Sequence, residues 1–525
     1  MKKIFAIAAL FLCTNSFAQE GYWQQKLYYN IDVALDDKAK TLTGKESVVY
    51  KNNSATALDF VWFHIWPNAY SNNNTALFKQ IRGDESRSKK LKGKTAGSIE
   101  GLAFSTNGTA LQTEPHPNPD YVDIIKVKLS APLKPGDSVT INTPFTVKLP
   151  EYFSRSGYAD GEFMICQWYP KPAVFDKDGW HEMPYLDMGE FYSEYADYTV
   201  NISLPASYIV GATGQLQNKE ELAQYISVGK KNTQDRSNKP AFYQPTEKNG
   251  NKTLSYVANN VPDFAWFAEK DLVIQYDTVQ LRSGKTVEAF SYYHNTKNSL
   301  WKKSIDYIKD AVHFYSNAVG DYEYPTVQAI EGPKNNSSGG MEYPMITLIT
   351  SPDAKAETLD AVITHEVGHN WFMSMLGSNE RLHTWQDEGM NSYYQFRYEA
   401  NKYRVNSIFG DALPAELSRL PLKEFQDAIY NAFANLPMDS PMDIPAASFP
   451  NSNDYGIISY VKPALWMYML EVSLGSEKVD KAFQYYFSQW KHKHPQPADM
   501  KAAFEKSVGG NLDKFFDLLN QKGKF

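Results

Sequence analysis

The chain has 525 residues, a formal net charge of −7, 42% hydrophobic residues and two cysteines. A length of this order supports two or more domains held by ordinary burial. The mildly acidic balance gives nucleic acid no electrostatic footprint, so no nucleic-acid partner is expected.

In chain order, Lys2 and Lys3 precede an apolar run over residues 4–13, and Ser16-Phe17-Ala18 follows as a small-residue cleavage site. This is the pattern of a secretory signal peptide, residues 1–18, with the mature chain starting near Gln19. The apolar run is too short to span a bilayer. The expectation is therefore an exported protein, periplasmic or extracellular, without a transmembrane anchor. Cys13 leaves with the signal and Cys166 remains alone, so no intramolecular disulfide can form. The only basic run, residues 89–94, sits in a polar stretch and reads as a solvated loop.

Residues 19–290 read as a β-rich N-terminal domain. Alternating segments recur at 27–33, 46–50, 121–129, 139–147, 198–204 and 254–258, separated by turns such as Pro135-Gly136-Asp137. Their spacing suggests an antiparallel β-sandwich. The Asn-, Lys- and Gln-rich stretches 230–238 and 247–252 read as exposed excursions between strands. Residues 166–175, dense in aromatics and prolines, read either as a packed loop or as a wall offered to a neighbouring site.

After residue 290 the period becomes helical. Trp301, Ile305, Ile308, Val312 and Tyr315 share one face of a helix over 300–318. Strands follow at 326–330 and 342–349, then helices at 359–375 and 387–400, and the rest is mostly helical. Residues 291–525 are therefore read as an α+β domain.

The first of these two later helices carries His365-Glu366-Val367-Gly368-His369. Residues four apart project from one helix face, so both imidazoles meet one point, with Glu366 beside it. Glu388 lies 19 positions after His369, at the start of the next helix. Two neutral nitrogens and a carboxylate with a fourth position open is how a catalytic zinc is held. Gly368 adds to this, because glycine inside a helix costs about 1 kcal/mol against alanine and needs a packing or functional reason. One Zn²⁺ per chain is expected. In that setting Glu366 is the general base that takes a proton from water and returns it to the leaving amine. The remaining histidines read as core or surface residues, with His492 and His494 at a solvated helix end.

Four features together resemble the gluzincin zinc aminopeptidases of the alanyl aminopeptidase and leukotriene-hydrolase type. They are the His365-Glu366-x-x-His369 motif with Glu388, the segment Gly339-Gly340-Met341-Glu342-Tyr343, the segment Tyr460-Val461-Lys462-Pro463-Ala464, and a β-rich half preceding a thermolysin-like half. The resemblance implies a multidomain fold: an N-terminal antiparallel β-sandwich followed by a thermolysin-like α+β zinc peptidase domain, mostly helical at its C-terminus. It implies substrates that are peptides with a free N-terminus. It assigns Tyr460 to the tetrahedral oxyanion, with Tyr455 as the rival, and Glu342 to the substrate's α-ammonium. Gly339, Gly340 and Met341 are placed along the substrate backbone, and Gln167 in the same pocket.

Three departures stand out. Tyr343 replaces an asparagine, Pro463 replaces a glycine, and the sequence stops at Phe525 soon after the catalytic domain should close. The large C-terminal helical domain of many relatives is therefore expected to be absent and the cleft more open. A zinc endopeptidase on the same scaffold, and a peptide- or glycan-binding protein with a relict metal site, are the alternatives.

Overall fold

The computed structural model describes residues 21–89, 96–236, 239–245, 250–296, 299–334, 339–351 and 355–525. The expected signal peptide and the lysine run at 90–94 lie outside them. Among the described residues no helix is long and apolar enough to cross a membrane.

The N-terminal half is built where sequence alternation is strict. In Lys26–Asp36 the side chains of Leu27, Tyr29, Ile31, Val33 and Leu35 are buried while Tyr28 faces solvent, the period-2 signature of a strand with one covered face. Thr41–Lys51 pairs with it in antiparallel register, and Ser138–Lys148 continues the sheet on that side. On the other side Lys26–Asp36 lies parallel to Ala196–Pro205, Leu27 opposite Ala196. The purely antiparallel expectation fails there. Alternation is identical for either strand direction, and the long intervening chain supplies the crossover that a parallel pair needs. Smaller sheets complete the β-rich half, among them one in which Glu162–Ile165 and Ile209–Ala212 flank Trp266–Glu269.

The stretch expected as an exposed excursion at 230–238 begins instead as the end of a helix, Lys219–Gln234. It packs on the strand Leu272–Gln280, where the Asn232 amide donates to the Ile274 carbonyl at 2.8 Å. Its outer face is polar, so composition alone resembled a loop; the buried residues Tyr225 and Asn232 anchor it. The aromatic segment at 166–175 is packed core: Trp168 and Tyr169 are buried, and Lys171 pairs with Asp263 at 2.7 Å. His494, read as part of a solvated end, is also buried, with Nδ1 2.7 Å from the Gly377 carbonyl and Nε2 3.2 Å from Glu194.

The second half is organised on a five-stranded mixed sheet in the order Leu272–Gln280, Thr286–His294, Thr326–Glu331, Ile346–Ile349, Gly340–Met341. Its first hairpin begins before residue 290, where the period changes, and its second strand, Thr286–His294, straddles that residue. The strand expected over 342–349 is split. Pro344 has no N–H for a ladder, and the chain turns with Met345 at φ 62° and the Ile346 amide bonded to the Tyr343 carbonyl. Glu342 therefore sits on a turn just past the edge strand. Helix Ser304–Ala318 covers the sheet with the apolar face read from sequence and packs against helix Ala356–His369. The multidomain architecture is the expected one, a β-rich N-terminal region before an α+β part that becomes helical toward the C-terminus.

Candidate active site

Three π-helical turns shape the site. Helix Ala356–His369 runs into one over Asn370–Met375, Glu388 lies in another over Trp385–Gly389 ahead of helix Met390–Lys402, and Tyr460 lies in a third over Ile457–Val461 ahead of helix Lys462–Leu474. Such widened turns recur at functional sites because they re-aim side chains. Pro463 is the second residue of helix Lys462–Leu474, directly after the widened turn Ile457–Val461, where the regular ladder is already interrupted.

His365 Nε2 and His369 Nε2 lie 3.0 Å apart, and Glu388 Oε2 is 3.3 and 3.4 Å from them. Four-coordinate bonds of about 2.0–2.1 Å imply ligand–ligand edges of roughly 3.4 Å, so these three donors fit a single divalent ion. The far sides of both rings agree. His365 Nδ1 faces Gln395 Oε1 at 2.7 Å and His369 Nδ1 faces Asp387 Oδ1 at 2.6 Å. Each Nδ1–H is thus committed, leaving an Nε2 lone pair for a metal. Two lone pairs 3.0 Å apart repel unless a cation lies between them. Sequence reasoning missed Asp387 and Gln395, although Asp387 adjoins Glu388 and Gln395 follows it by seven residues, on the same helix face.

The helix pair is locked at Gly368. A Cβ there would stand 2.1 Å from Asn391 Oδ1 and 2.4 Å from the Tyr315 hydroxyl. Asn391 in turn donates to the His365 carbonyl at 2.7 Å and accepts from Tyr315 at 2.7 Å. Gly340 is equally constrained, since its Cβ would collide with the Glu366 carboxyl at 2.6 Å.

Glu366 is buried, and desolvation pushes its carboxyl up to about 7 even though both imidazoles pull it down. Burial acts to raise Glu388 and the neighbouring His369 and His365 rings act to lower it, the net shift lying below its ordinary range. Tyr460 donates to Glu388 Oε1 at 2.5 Å. Tyr455 is buried with its ring 6.1 Å from that of Tyr460, and its hydroxyl meets no partner among the described residues. Glu342 is buried, its carboxylate within 4.8 Å of ligand atoms of Glu366 and His369, and desolvation raises its pKa well above the ordinary range.

Glu342, His365, Glu366, His369, Glu388 and Tyr460 open on one cleft of about 770 Å³, along which Gly339, Gly340 and Met341 form a wall. Gln167 does not line that cleft. It sits behind Glu342, at φ 47°, and bonds to Asp263 at 3.3 Å and to the Tyr343 hydroxyl at 2.9 Å. Tyr343 thus ties the catalytic strand to the aromatic segment of the N-terminal half, a span that an asparagine could not reach.

Residues 303–519 match the model of the Peptidase family M1 domain. The chain is 27% identical over 188 residues to a leukotriene A-4 hydrolase homolog of Botryotinia fuckeliana, a match covering 34% of this chain and 27% of that protein. It is likewise 27% identical over 188 residues to leucine aminopeptidase 2 of Sclerotinia sclerotiorum, covering 34% and 29%. These matches therefore span less than a third of the relatives' own length. In fold, the chain resembles an M1 zinc metallopeptidase of Deinococcus radiodurans bound to a Tyr-Ser-Ala substrate, with TM-score 0.61, 14% identity and 95% of each chain covered. It also resembles aminopeptidase A of Legionella pneumophila in complex with aspartic acid, with TM-score 0.62, 15% identity, 94% of this chain and 49% of that one. Over residues 303–519 the chain is thus similar to the Peptidase family M1 domain, and over nearly its whole length it shares the fold of M1 zinc metallopeptidases.

Proposed function

We propose that this chain is an exported zinc aminopeptidase that hydrolyses residues from the N-terminus of peptides, with one Zn²⁺ held by His365, His369 and Glu388. The observation that carries this is the convergence of two Nε2 atoms and one carboxylate oxygen within 3.0–3.4 Å beside Glu366, on a cleft that Glu342 also lines. The ion supplies Lewis acidity, polarising the scissile carbonyl and acidifying water.

The chain's own residues do the rest. Glu366, buried beside both imidazoles, takes a proton from the attacking water and hands it to the departing amine. The Tyr460 hydroxyl, positioned by Glu388, donates to the oxyanion, where loss of one donor typically costs ~10²–10³ in rate. Tyr460 is preferred to Tyr455 because its hydroxyl already touches a ligand carboxylate. Glu342 accepts the α-ammonium of the first residue, a charge-assisted contact that only a free N-terminus can make. The edge strand Gly340–Met341, with Gly339 before it, pairs with the substrate backbone.

The zinc endopeptidase alternative lacks a reason for a buried carboxylate at Glu342. Export rests on the N-terminal signal pattern. In the proposed division residues 19–290 support and residues 291–525 catalyse, with the hairpin formed by Leu272–Gln280 and Thr286–His294 joining the catalytic sheet. The test is release of free amino acids from unblocked peptides against their N-acetylated counterparts. The expected result is turnover of the first set alone; equal cleavage of both overturns the exopeptidase assignment.

A further inference from the structure

Beyond Glu342 a second cavity opens, sharing Met341 and Glu342 with the catalytic cleft. Its free volume is about 30 Å³, room for one or two groups the size of water or an ammonium. The walls are apolar at Phe191, Met341 and Met373, and polar at Gln167, Glu342 and Glu380.

Glu380 is 3% exposed, and its Oε2 has no hydrogen-bond partner among the described residues. Its carboxylate lies within 4.8 Å of those of Glu342 and Asp387, and Asp387 Oδ2 is also buried without a partner. A buried carboxylate left this way is costly unless something cationic or protonic meets it. Among the described residues no ion pair reaches Glu380: Lys171 pairs with Asp263 at 2.7 Å, Arg155 with Glu190 at 2.7 Å, and Arg381 donates its Nε to the Glu190 carbonyl at 3.1 Å. Burial, reinforced by the charges of Asp387 and Glu342, drives the Glu380 pKa well up, which marks a site that gains from receiving a cation.

An ammonium nitrogen about 2.8 Å from two oxygens no more than 4.8 Å apart subtends at most roughly 118°, a range that includes the tetrahedral value its N–H bonds require. Gln167 is neutral, and its Oε1 already accepts from the Tyr343 hydroxyl, so the carboxylate in this chamber without a partner of its own is Glu380. We infer that Glu380 is a second receptor for the substrate's α-ammonium, gripping it jointly with Glu342. This rests on the aminopeptidase function proposed above and makes Glu380 a binding residue rather than one that moves protons.

The test uses two competitive ligands on the zinc-loaded full chain, L-leucine hydroxamate and its des-amino analogue, 4-methylpentanoyl hydroxamate. Wild type should favour the amine-bearing ligand. In Glu380→Gln that preference should fall about 10- to 100-fold, with the inhibition constant of the des-amino ligand within about twofold of wild type and the loss on unblocked peptides appearing in KM. Glu380→Asp keeps the charge at shorter reach and should fall between the two. An unchanged preference in both variants overturns the inference, as does an equal rise in both constants, which is what a structural role would give. A second equivalent of metal lost with Glu380 also overturns it. A wild-type enzyme with no preference for the amine instead takes down the aminopeptidase reading itself.

Discussion

At His294 both ring nitrogens face carboxylates: Nε2 lies 2.8 Å from Glu269 and 3.6 Å from Glu162, and Nδ1 lies 3.4 Å from Glu331. At His365 and His369 each Nδ1 faces one acceptor, Gln395 Oε1 or Asp387 Oδ1, while the two Nε2 atoms converge to 3.0 Å from each other, with the Glu388 carboxylate 3.3 and 3.4 Å away. Both clusters bring histidine and glutamate ligand atoms within 4.8 Å of one another, so composition and clustering do not separate them. The 3.0 Å approach of two ring nitrogens does, since two Nε2 atoms that close cannot both carry a proton toward each other. A histidine donating from both nitrogens is itself the cation, and the His294 ring is pushed up to about 10 because Glu269 and Glu331 outweigh the effect of burial. It ties Glu269 and Glu162 of the N-terminal half to Glu331 of the catalytic sheet. A histidine donating from one nitrogen keeps a lone pair, and two such lone pairs aimed together call for a metal.

The largest effect that could break this contrast comes from the ligands. His369→Ala or Glu388→Ala should cost the single equivalent of bound metal and about 10³-fold or more in turnover, since Lewis-acid stabilisation is worth several kcal/mol. His294→Ala should leave metal content at one per chain by elemental analysis; a second equivalent that disappears with His294 would erase the distinction. An intermediate effect is expected behind the ring. Asp387→Asn should weaken metal affinity about 10- to 100-fold, measured by competition with a chelator, while Glu331→Gln should leave that affinity unchanged.

The smallest effect lies in pH. The folded-state pKa of His294, about 10, stands above the unfolded value near 6.5. Its contribution to stability is therefore fully present below pH 6.5 and is lost as pH rises through 10. Glu162, pushed up to about 8 by burial, acts in the same direction between its ordinary range and pH 8. Melting temperature should thus decline from pH 6.5 toward 10, and His294→Gln should flatten that decline by about 1–3 °C, modest because the pair is partly exposed and the chain long. A melting curve with unchanged slope in the variant would remove His294 as the latch.

Much of this molecule is written locally. Strict alternation marks Lys26–Asp36 and Ser138–Lys148 as strands because a half-buried strand repeats every two residues whatever surrounds it. The four-residue spacing of His365 and His369 sets both rings on one helix face before any packing is known. The motif resemblance identified Tyr460 and Glu342 for the same reason, as short segments with fixed chemistry.

Other features depend on partners far along the chain. Lys26–Asp36 chooses a parallel neighbour at Ala196–Pro205, and helix Lys219–Gln234 is stabilised by a strand some forty residues later. The π-helical turns that aim Glu388 and Tyr460, the commitment of Asp387 and Gln395 to the far sides of the rings, and the small chamber that brings Glu380 to Glu342 leave no periodic trace. Local spacing decides which residue types can do chemistry; hydrogen-bond direction and burial, which arise only when distant segments pack, decide which of them are left with something to bind.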